Sequence, residues 1–223
     1  MMHFPGTGLE MFSDFVRENE SRKITISPDI SVISVMNSLC WKDSPLRKQC
    51  ESNGITIFNT AKNEYTWKNT LKIQHILNCL DIVNTKYALV SDGKDAIITH
   101  DLDAEFIKKF KKFNKPILYN GTPAAYPKVP IEPLEELFQI KGKQKFLNAG
   151  VCFGEVEALK VFYSQCAEIS STLHENKSEQ LVVRKARQAR KDLVAIDHDN
   201  ELFRICHRYD TAIKEEADKI IFI

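Results

Sequence analysis

The sequence predicts one α/β domain with a mixed central sheet, and three observations lead to this prediction. Runs rich in β-branched residues alternate with segments of helical periodicity through the first half of the chain, which is typical of parallel strands joined by helices. The 223 residues suffice for one large domain, and the composition, 43% hydrophobic and 27% charged, is that of an ordinary globular protein. The second half has a less regular order of elements, so we expect a mixed sheet rather than a purely parallel one.

The patterns in the first half of the chain predict a regular alternation of strands and helices. In chain order, the patterns predict strand 30–38, helix 44–53, strand 54–59, helix 71–83, strand 85–92, helix 103–114 and strand 117–121. Ser44 and Pro45 are typical of a helix N-cap and first helical position, and Gly54 is typical of a helix end. The order of strand, helix and strand favours a parallel sheet, which is the arrangement of a nucleotide-binding half.

The second half has a different character. Residues 121–145 contain four prolines, so part of this segment is expected to be irregular. The patterns beyond it predict strand 145–155, helices 157–173 and 178–191, and strands 192–198, 200–207 and 219–223. We interpret the polar residues 1–28 as an N-terminal extension with a short helix at 9–16, and residues 29–223 as a single domain.

Charge, hydropathy and cysteine usage argue against several classes of protein. The formal net charge of +1 gives no bulk attraction to nucleic acid, so no nucleic-acid partner is expected. No apolar run approaches the roughly 20 residues of a membrane span, and the first residues lack the apolar core of a signal peptide. The six cysteines form no CxxC pair, which argues against a zinc ribbon and favours a reduced compartment. These observations predict a soluble, cytoplasmic protein.

Two acidic pairs follow the third predicted strand, in the stretch YALVSDGKDAIITHDLD. Asp92 and Asp95 come directly after the strand, at the edge of a parallel sheet where ligands bind. Two carboxylates in this place are typical of a magnesium or manganese site with nucleotide phosphates, but they are also typical of a turn. Asp101 and Asp103 precede a predicted helix, and helix capping explains them better than metal binding.

His198 is a further candidate ligand, far downstream of these pairs. It follows another β-branched run and is flanked by Asp197 and Asp199. A lone histidine near a strand end is more often a surface or core residue, but this one could complete a site with two distant aspartates. An imidazole ligand suits manganese or another transition ion better than calcium.

Segments from about residue 30 to the C-terminus occur in an order that matches one family. They are ISVISVMNS, LRKQCESNGITI, LKIQHILNCL, YALVSDGKDAIIT, EFIKKFKKFNKPILYNG, KFLNAGVCFGE, SEQLVV, AIDHDNELFRI and TAIKEEADKIIFI. In this order they resemble the glycosyltransferase domain of the collagen lysyl hydroxylases (the procollagen-lysine dioxygenase family) and its viral and bacterial relatives. The resemblance implies a GT-A-like fold, with a Rossmann-like nucleotide-binding half and a mixed central sheet flanked by helices. It also implies transfer of a sugar from a nucleotide-sugar, a UDP-sugar in this family, with Mn²⁺ or Mg²⁺ as cofactor.

The resemblance assigns roles to individual residues. The implied metal ligands are Asp92, Asp95 and His198; the candidate catalytic residues are Glu179 and Asn148; and the candidate contacts of the nucleotide-sugar are Lys72, Gly93, Lys94 and Gly150. Each role has a structural alternative. Glu179 also fits a first-turn carboxylate and Gly150 a strand bulge, while Lys72 and its rival Lys68 also fit a solvated helix face. Trp67 and Tyr126 are candidates for stacking on a sugar or base, although such residues more often pack in the core.

Two features depart from the family pattern. The family has a tyrosine between its metal aspartates, where this chain has Lys94, and its glycine-rich loop before the nucleotide lysine is replaced here by NEYTWKNT. Two further classes of protein therefore stay open. One is a catalytically degenerate protein that binds a nucleotide-sugar or carbohydrate, and the other is a metal-dependent nucleotidyltransferase. The acceptor, whether glycan, protein or small molecule, is not indicated by the sequence.

Overall fold

The computed structural model describes residues 2–3, 15, 16, 19, 22–68, 71–172 and 178–205. The helices in these residues are α1 (Ser38–Lys42), α2 (Pro45–Ser52), α3 (Leu71–Ile82), α4 (Ala104–Lys111), α5 (Leu134–Gln139), α6 (Val156–Thr172) and α7 (Glu179–Ala189). The strands are β1 (Met2–His3), β2 (Ile30–Ile33), β3 (Ile57–Phe58), β4 (Tyr87–Ser91), β5 (Ala96–Ile97), β6 (Ile117–Thr122), β7 (Phe146–Glu155), β8 (Val194–Asp197) and β9 (Arg204–Ile205).

A six-stranded sheet forms the centre of the domain, in the order β3-β2-β4-β7-β6-β8. β2 runs parallel to β3 and β4, and β6 runs parallel to β8, whereas β7 is antiparallel to both β4 and β6. β2, β4, β6 and β8 therefore end at the same edge of the sheet. The predictions of a parallel first half and of a mixed central sheet are confirmed.

Helices cover both faces of this sheet. Because successive residues of a strand point to opposite faces, Leu89 of β4 packs in one buried cluster with Leu46 of α2 and Phe106 of α4. Its neighbour Val90 packs in a second cluster with Ile76 of α3 and with residues of α6 and α7. This two-sided burial explains why β4 is buried along its whole length and apolar from Tyr87 to Val90. It also confirms the predicted α/β class with helices flanking the sheet.

β2 ends at Ile33, earlier than the predicted strand 30–38. The side chain of Asn37 accepts a hydrogen bond from the Cys40 N–H (3.0 Å) and caps α1, so the end of the predicted strand is a helix start. Between them, Met36 is fixed by the side chain of Asn59, which accepts from the Met36 N–H (3.3 Å) and donates to the Met36 carbonyl (2.9 Å). The chain after β2 is thereby held in a defined position at the edge of the sheet.

A small second sheet, in the order β5-β1-β9, is not predicted from the sequence. β1 pairs antiparallel with β5 and parallel with β9, so two residues of the interpreted N-terminal extension pair with two segments of the domain. Strands of two residues are too short to give a periodic pattern in the sequence. Most of the predicted helix 9–16 and all of the predicted strand 219–223 lie outside the described residues.

Two expectations drawn from the composition concern membrane-spanning helices and cysteines. None of the helices in the described ranges combines the length and the apolarity that a bilayer crossing requires. Five of the six cysteines lie in those ranges, and each is a free thiol, four of them buried. Buried free cysteines of this kind behave as small hydrophobic side chains.

Candidate active site

A cavity of about 370 Å³ lies at the carboxyl ends of β2 and β4. The segment after β2 and the segment after β4 form one part of its wall, and β7 and the first turn of α7 form another. The lining residues are Val35, Met36, Asn37, Cys40, Trp67, Lys72, Asp92, Gly93, Lys94, Asp95, Asn148, Ala149, Gly150, Ser178, Glu179 and Gln180. All residues to which the resemblance assigns a metal, catalytic or nucleotide-sugar role lie in this wall, except His198.

Lys72 forms the electrostatic centre of the cavity. Its Nζ lies 2.5 Å from Asp92 Oδ1 and 2.9 Å from Glu179 Oε2, so one ammonium group links carboxylates from β4 and α7. Lys72 is only 7% exposed and lines the cavity, whereas its rival Lys68 is exposed and does not line it. A lysine this deeply buried needs paired charges to offset the cost of desolvation.

Burial and pairing shift the acid–base behaviour of this cluster. Burial opposes the charged ammonium, but Asp92 and Glu179 outweigh it, so the pKa of Lys72 lies above its usual range. Burial raises the pKa of Glu179 to about 7, although Lys72 acts in the opposite direction. One oxygen of Glu179, Oε1, is buried and has no hydrogen-bond partner in the described residues. Such an oxygen can bind a proton or a ligand that enters the cavity.

The loop after β4 is held in place by residues from α2 and β2. The Ser44 hydroxyl, which caps α2, donates a hydrogen bond to the Gly93 carbonyl (2.7 Å). A Cβ at position 93 would lie 2.5 Å from Ser34 Oγ and would also clash with Met36. A larger residue at position 93 would therefore have to displace the ends of the Met36 and Ser34 side chains, which pack closely against this glycine. On either side of it, Asp92 and Asp95 line the cavity, as does the exposed Lys94.

An irregularity in β7 shapes the opposite wall. Tyr119 of β6 pairs with Cys152 of β7, but the next residue, Asn120, pairs with Asn148. Residues 149–151 thus form a bulge, which we call the β7 bulge. Within it, the Gly150 N–H donates to Asn148 Oδ1 (2.8 Å), and the Gly150 carbonyl accepts from the Asp92 N–H (2.7 Å). The bulge alternative considered for Gly150 is confirmed, and the bulge brings this residue to the cavity.

The second acidic pair has structural roles. Asp103 caps α4, since its Oδ1 accepts hydrogen bonds from the N–H groups of Glu105 and Phe106, both at 3.0 Å. Asp101 Oδ1 accepts a hydrogen bond from the Thr25 N–H (2.6 Å). Neither aspartate lines the cavity. The sequence-based preference for helix-start chemistry at this pair is confirmed for Asp103, and Asp101 ties the segment before β2 to the segment before α4.

His198 follows β8 at the same edge of the sheet but outside the cavity wall. β7 and β6 separate β8 from β4, which places the two strand axes roughly 14 Å apart at the usual spacing. The His198 Nδ1 lies 2.5 Å from the Gln144 carbonyl, which leaves Nε2 as the ring nitrogen that can bind a ligand. The flanking Asp197 is structural: its carboxylate accepts hydrogen bonds from three backbone N–H groups at residues 201–203, each at 2.8 Å.

Two carboxylates of the cavity are candidate ligands of a divalent ion. Asp92 and Asp95 present carboxylate oxygens, the ligands that Mn²⁺ and Mg²⁺ accept, and the Lys72 ammonium shows that this wall already holds a cation. A metal site at these two aspartates stays a prediction. Within the described ranges, no three histidine, cysteine, aspartate or glutamate side chains are grouped closely enough to hold a metal. The three-ligand set with His198 stays a prediction from the resemblance.

The two aromatic candidates differ in position. Trp67 lines the cavity, and its ring stacks on that of His75 with centroids 6.5 Å apart and an interplanar angle of 17°. Tyr126 is 68% exposed and is not part of the cavity wall. Trp67 thus provides an aromatic face at the cavity where a base or sugar can pack.

Sequence reasoning missed Gln180, which lines the cavity and hydrogen-bonds to the β7 backbone. It missed the second role of Ser44 as well, because the pattern around Ser44 indicates only a helix cap. The feature of the sequence that could have indicated Gln180 is its position next to Glu179 in SEQLVV. A buried hydrogen bond to a strand more than thirty residues away leaves no local pattern.

The chain was compared with known proteins. No protein-family model and no curated protein match its sequence. Among solved structures, it is similar to one described as a glycosyltransferase involved in the glycosylation of the major capsid of PBCV-1, with a TM-score of 0.47 and 15% sequence identity over 86% of this chain and 89% of that chain. The fold and the cavity by themselves define an α/β protein with a charged cavity at the carboxyl edge of a mixed sheet.

Proposed function

We propose that the protein is a glycosyltransferase that moves a sugar from a nucleotide-sugar, with a UDP-sugar as the favoured donor, to an acceptor hydroxyl. One observation carries this proposal. Lys72, Asp92, Asn148 and Glu179 lie far apart in the sequence and were proposed for the site from separate motifs, yet they line one cavity. The cavity lies where ligands bind in open α/β sheets, beyond the carboxyl ends of parallel strands.

Asp92 and Asp95 would hold a Mn²⁺ or Mg²⁺ ion, which would act there as a Lewis acid toward the leaving nucleoside diphosphate. Lys72 adds a fixed positive charge to the same wall, suited to the phosphates. The β7 bulge lets the sugar approach the backbone at Gly150, because glycine has no side chain to exclude it. Asn148 lies beside this glycine and offers an amide to a sugar hydroxyl.

Glu179 is suited to accept a proton from the acceptor hydroxyl. A general base works best with a pKa near the operating pH, and burial brings the pKa of this carboxyl to about 7. Its Oε1 has no hydrogen-bond partner in the described residues, so this oxygen offers a position for the hydroxyl. Lys72 on the other oxygen fixes the orientation of the group.

A binding protein without turnover is the second candidate. It is favoured by Lys94, which lines the cavity where the family has a tyrosine and adds a second cation beside the aspartates. A protein of this kind would bind the nucleotide-sugar through the same wall. It would lack the alignment that group transfer requires.

The test is a thermal-shift panel of nucleoside diphosphate sugars, each with and without Mn²⁺, followed by measurement of nucleoside diphosphate release. A ligand that binds only the folded protein raises its melting temperature. We expect UDP-sugars with Mn²⁺ to give the largest shift, and release of UDP to follow. Binding without release would identify the non-catalytic candidate. Pyrophosphate release from a sugar phosphate and a nucleoside triphosphate would indicate a nucleotidyltransferase, and no shift with any nucleotide-sugar would contradict the proposal.

The third metal ligand is tested separately, by Mn²⁺ calorimetry on His198→Ala. Since the His198 ring lies outside the cavity wall, we expect this change to weaken Mn²⁺ binding less than Asp92→Asn does. An equal loss in the two variants would mean that His198 reaches the ion in the loaded protein, as the resemblance implies.

A further inference from the structure

Gln180, the second residue of α7, makes two hydrogen bonds to the backbone of β7. Its Oε1 accepts from the Ala149 N–H (2.6 Å), and its Nε2 donates to the Leu147 carbonyl. These are the backbone positions on either side of Asn148, where the pairing with β6 shifts. Ala149 has no pairing partner on β6, so the Gln180 amide satisfies its N–H there, whereas Leu147 pairs with Gly121 and accepts the Gln180 hydrogen bond in addition.

The β7 bulge in turn contacts the loop that carries the aspartates. The Gly150 carbonyl accepts a hydrogen bond from the Asp92 N–H at 2.7 Å. On the other side of the bulge, the buried Asn120 of β6 donates to the Asn148 carbonyl (2.7 Å) when its amide is oriented to satisfy its hydrogen bonds. The bulge is therefore fixed from two directions, by β6 and by Gln180.

Gln180 also follows Glu179 directly in the chain, and Glu179 reaches Asp92 through Lys72. The contacts form a closed ring: Asp92 to Lys72, Lys72 to Glu179, and from Gln180 through the β7 bulge back to Asp92. One arm of the ring consists of charged side chains, and the other consists of neutral hydrogen bonds that involve the backbone. A ligand that binds to the carboxylates would contact the charged arm directly, whereas the hydrogen bonds of the neutral arm involve no carboxylate.

We propose that Gln180 is a positioning residue that sets, through the β7 bulge, the place of Asp92 relative to Glu179. The effect of Gln180 on sugar transfer rests on the proposed function. The effect of Gln180 on the position of Asp92, which we call the structural coupling, does not. Gln180 lines the cavity but acts through the backbone of residues 147–150, so its removal changes the alignment of the site and leaves the charged groups present. Misalignment of this kind lowers turnover more than it lowers binding.

Amide hydrogen exchange resolved to single residues tests the coupling without any substrate. In Gln180→Ala we expect the Asp92 N–H to exchange roughly tenfold faster. Its hydrogen bond to the Gly150 carbonyl would be weakened, and one hydrogen bond protects an amide from exchange by about that factor. Gln180 does not touch the Asp92 N–H, so a local effect would stop at residues 147–149. The matched control is Gln188→Ala on the same helix, whose amide donates a hydrogen bond to Glu136 (3.5 Å) and which does not line the cavity.

Faster exchange confined to residues 147–149 would overturn the proposal, and so would equal acceleration in all segments, which would indicate general destabilisation. If Gln180→Ala does not fold, Gln180→Met preserves the length of the side chain and removes both polar atoms. In the transfer assay, we expect a kcat about tenfold lower with a donor KM changed by less than about threefold. Unchanged kcat would refute the role in transfer. Absence of transfer in the wild type would refute the proposed function and leave the exchange result to decide the coupling.

Discussion

The two acidic pairs between residues 92 and 103 have the same side chains and different partners. The carboxylates of Asp101 and Asp103 accept hydrogen bonds from backbone N–H groups, so the fold itself satisfies them. Asp92 and Asp95 line the cavity, and Asp92 is balanced by the Lys72 ammonium of α3. Neutral backbone donors keep a carboxylate in a structural role, whereas a charged partner in a cavity leaves it able to exchange that partner for a ligand. The two acidic pairs are thus distinguished by the groups that contact their carboxylates and not by the residue type.

The largest expected effect is on ligand binding, and it separates the two pairs. Asp92→Asn and Asp95→Asn each remove one of the two charges suited to a divalent ion, so we expect Mn²⁺-dependent binding of a nucleoside diphosphate to fall by at least about a hundredfold, a charged contact being worth roughly 3 kcal/mol. Calorimetry with Mn²⁺ and UDP measures this loss. Asp101→Asn is the control and should bind as the wild type does. Equal losses at positions 92 and 101 would remove the distinction between the pairs.

Lys72→Met is expected to have the next largest effect, on stability. It leaves Asp92 and Glu179 facing each other without the ammonium, and breaking a buried ion pair costs about 3 kcal/mol. The same substitution at the exposed Lys68 should change the free energy of unfolding by less than about 0.5 kcal/mol. Denaturant unfolding of both variants provides the comparison. Similar values for the two would show that Lys72 is not the centre of the cluster.

The pH dependence of stability is the third expected effect, and it is specific to the cavity. The pKa of Glu179 rises from 4.5 to about 7 on folding because of burial. Between these values the folded protein keeps a proton that the unfolded chain has lost, so this group makes stability fall as the pH rises from 4.5 towards 7. Glu179→Gln should therefore flatten the stability profile in that window. The difference between the two profiles, measured by urea unfolding, isolates the contribution of this carboxyl, and parallel profiles would contradict it.

The pKa of Asp101 is shifted in the opposite direction. Its hydrogen bond to the Thr25 N–H lowers the pKa of the carboxyl. Such a group adds stability that is present above its unfolded pKa and is lost as the pH falls through the folded value. Because Asp101 is mostly exposed, solvent screens this contribution and keeps it small. Glu179 of the cavity and Asp101 of the scaffold thus respond to pH with opposite signs.

Local patterns predicted the parts of this molecule that local chemistry determines. The strand before Asp92 and the cap at Asp103 depend on neighbours within a few residues, and the structure has both. The burial of Lys72 depends on Glu179, which lies more than a hundred residues away, so the helical pattern around Lys72 fits a solvated lysine equally well. The glycine in KFLNAGVCFGE indicates a possible bulge, but no pattern there shows its hydrogen bonds to Gln180, which lies about thirty residues away. The residues that line the cavity could be proposed from the sequence, but the charge balance among them could not.

The smallest expected effect tests the scaffold side of the comparison. Asp103→Ala removes the side-chain acceptor of two N–H groups at the start of α4, and loss of an N-cap typically costs about 1 kcal/mol. Since α4 packs its buried Phe106 and Phe110 against the sheet, this cost should appear in the global free energy of unfolding rather than as fraying of one turn. Asp103→Asn is the matched variant, because asparagine caps helices about as well as aspartate and should restore most of the loss. Binding of Mn²⁺ and UDP should be unchanged in both. A binding defect in Asp103→Ala that Asp103→Asn does not repair would mean that the carboxylate charge at this position contributes to the site, and the two pairs would then no longer be functionally separate.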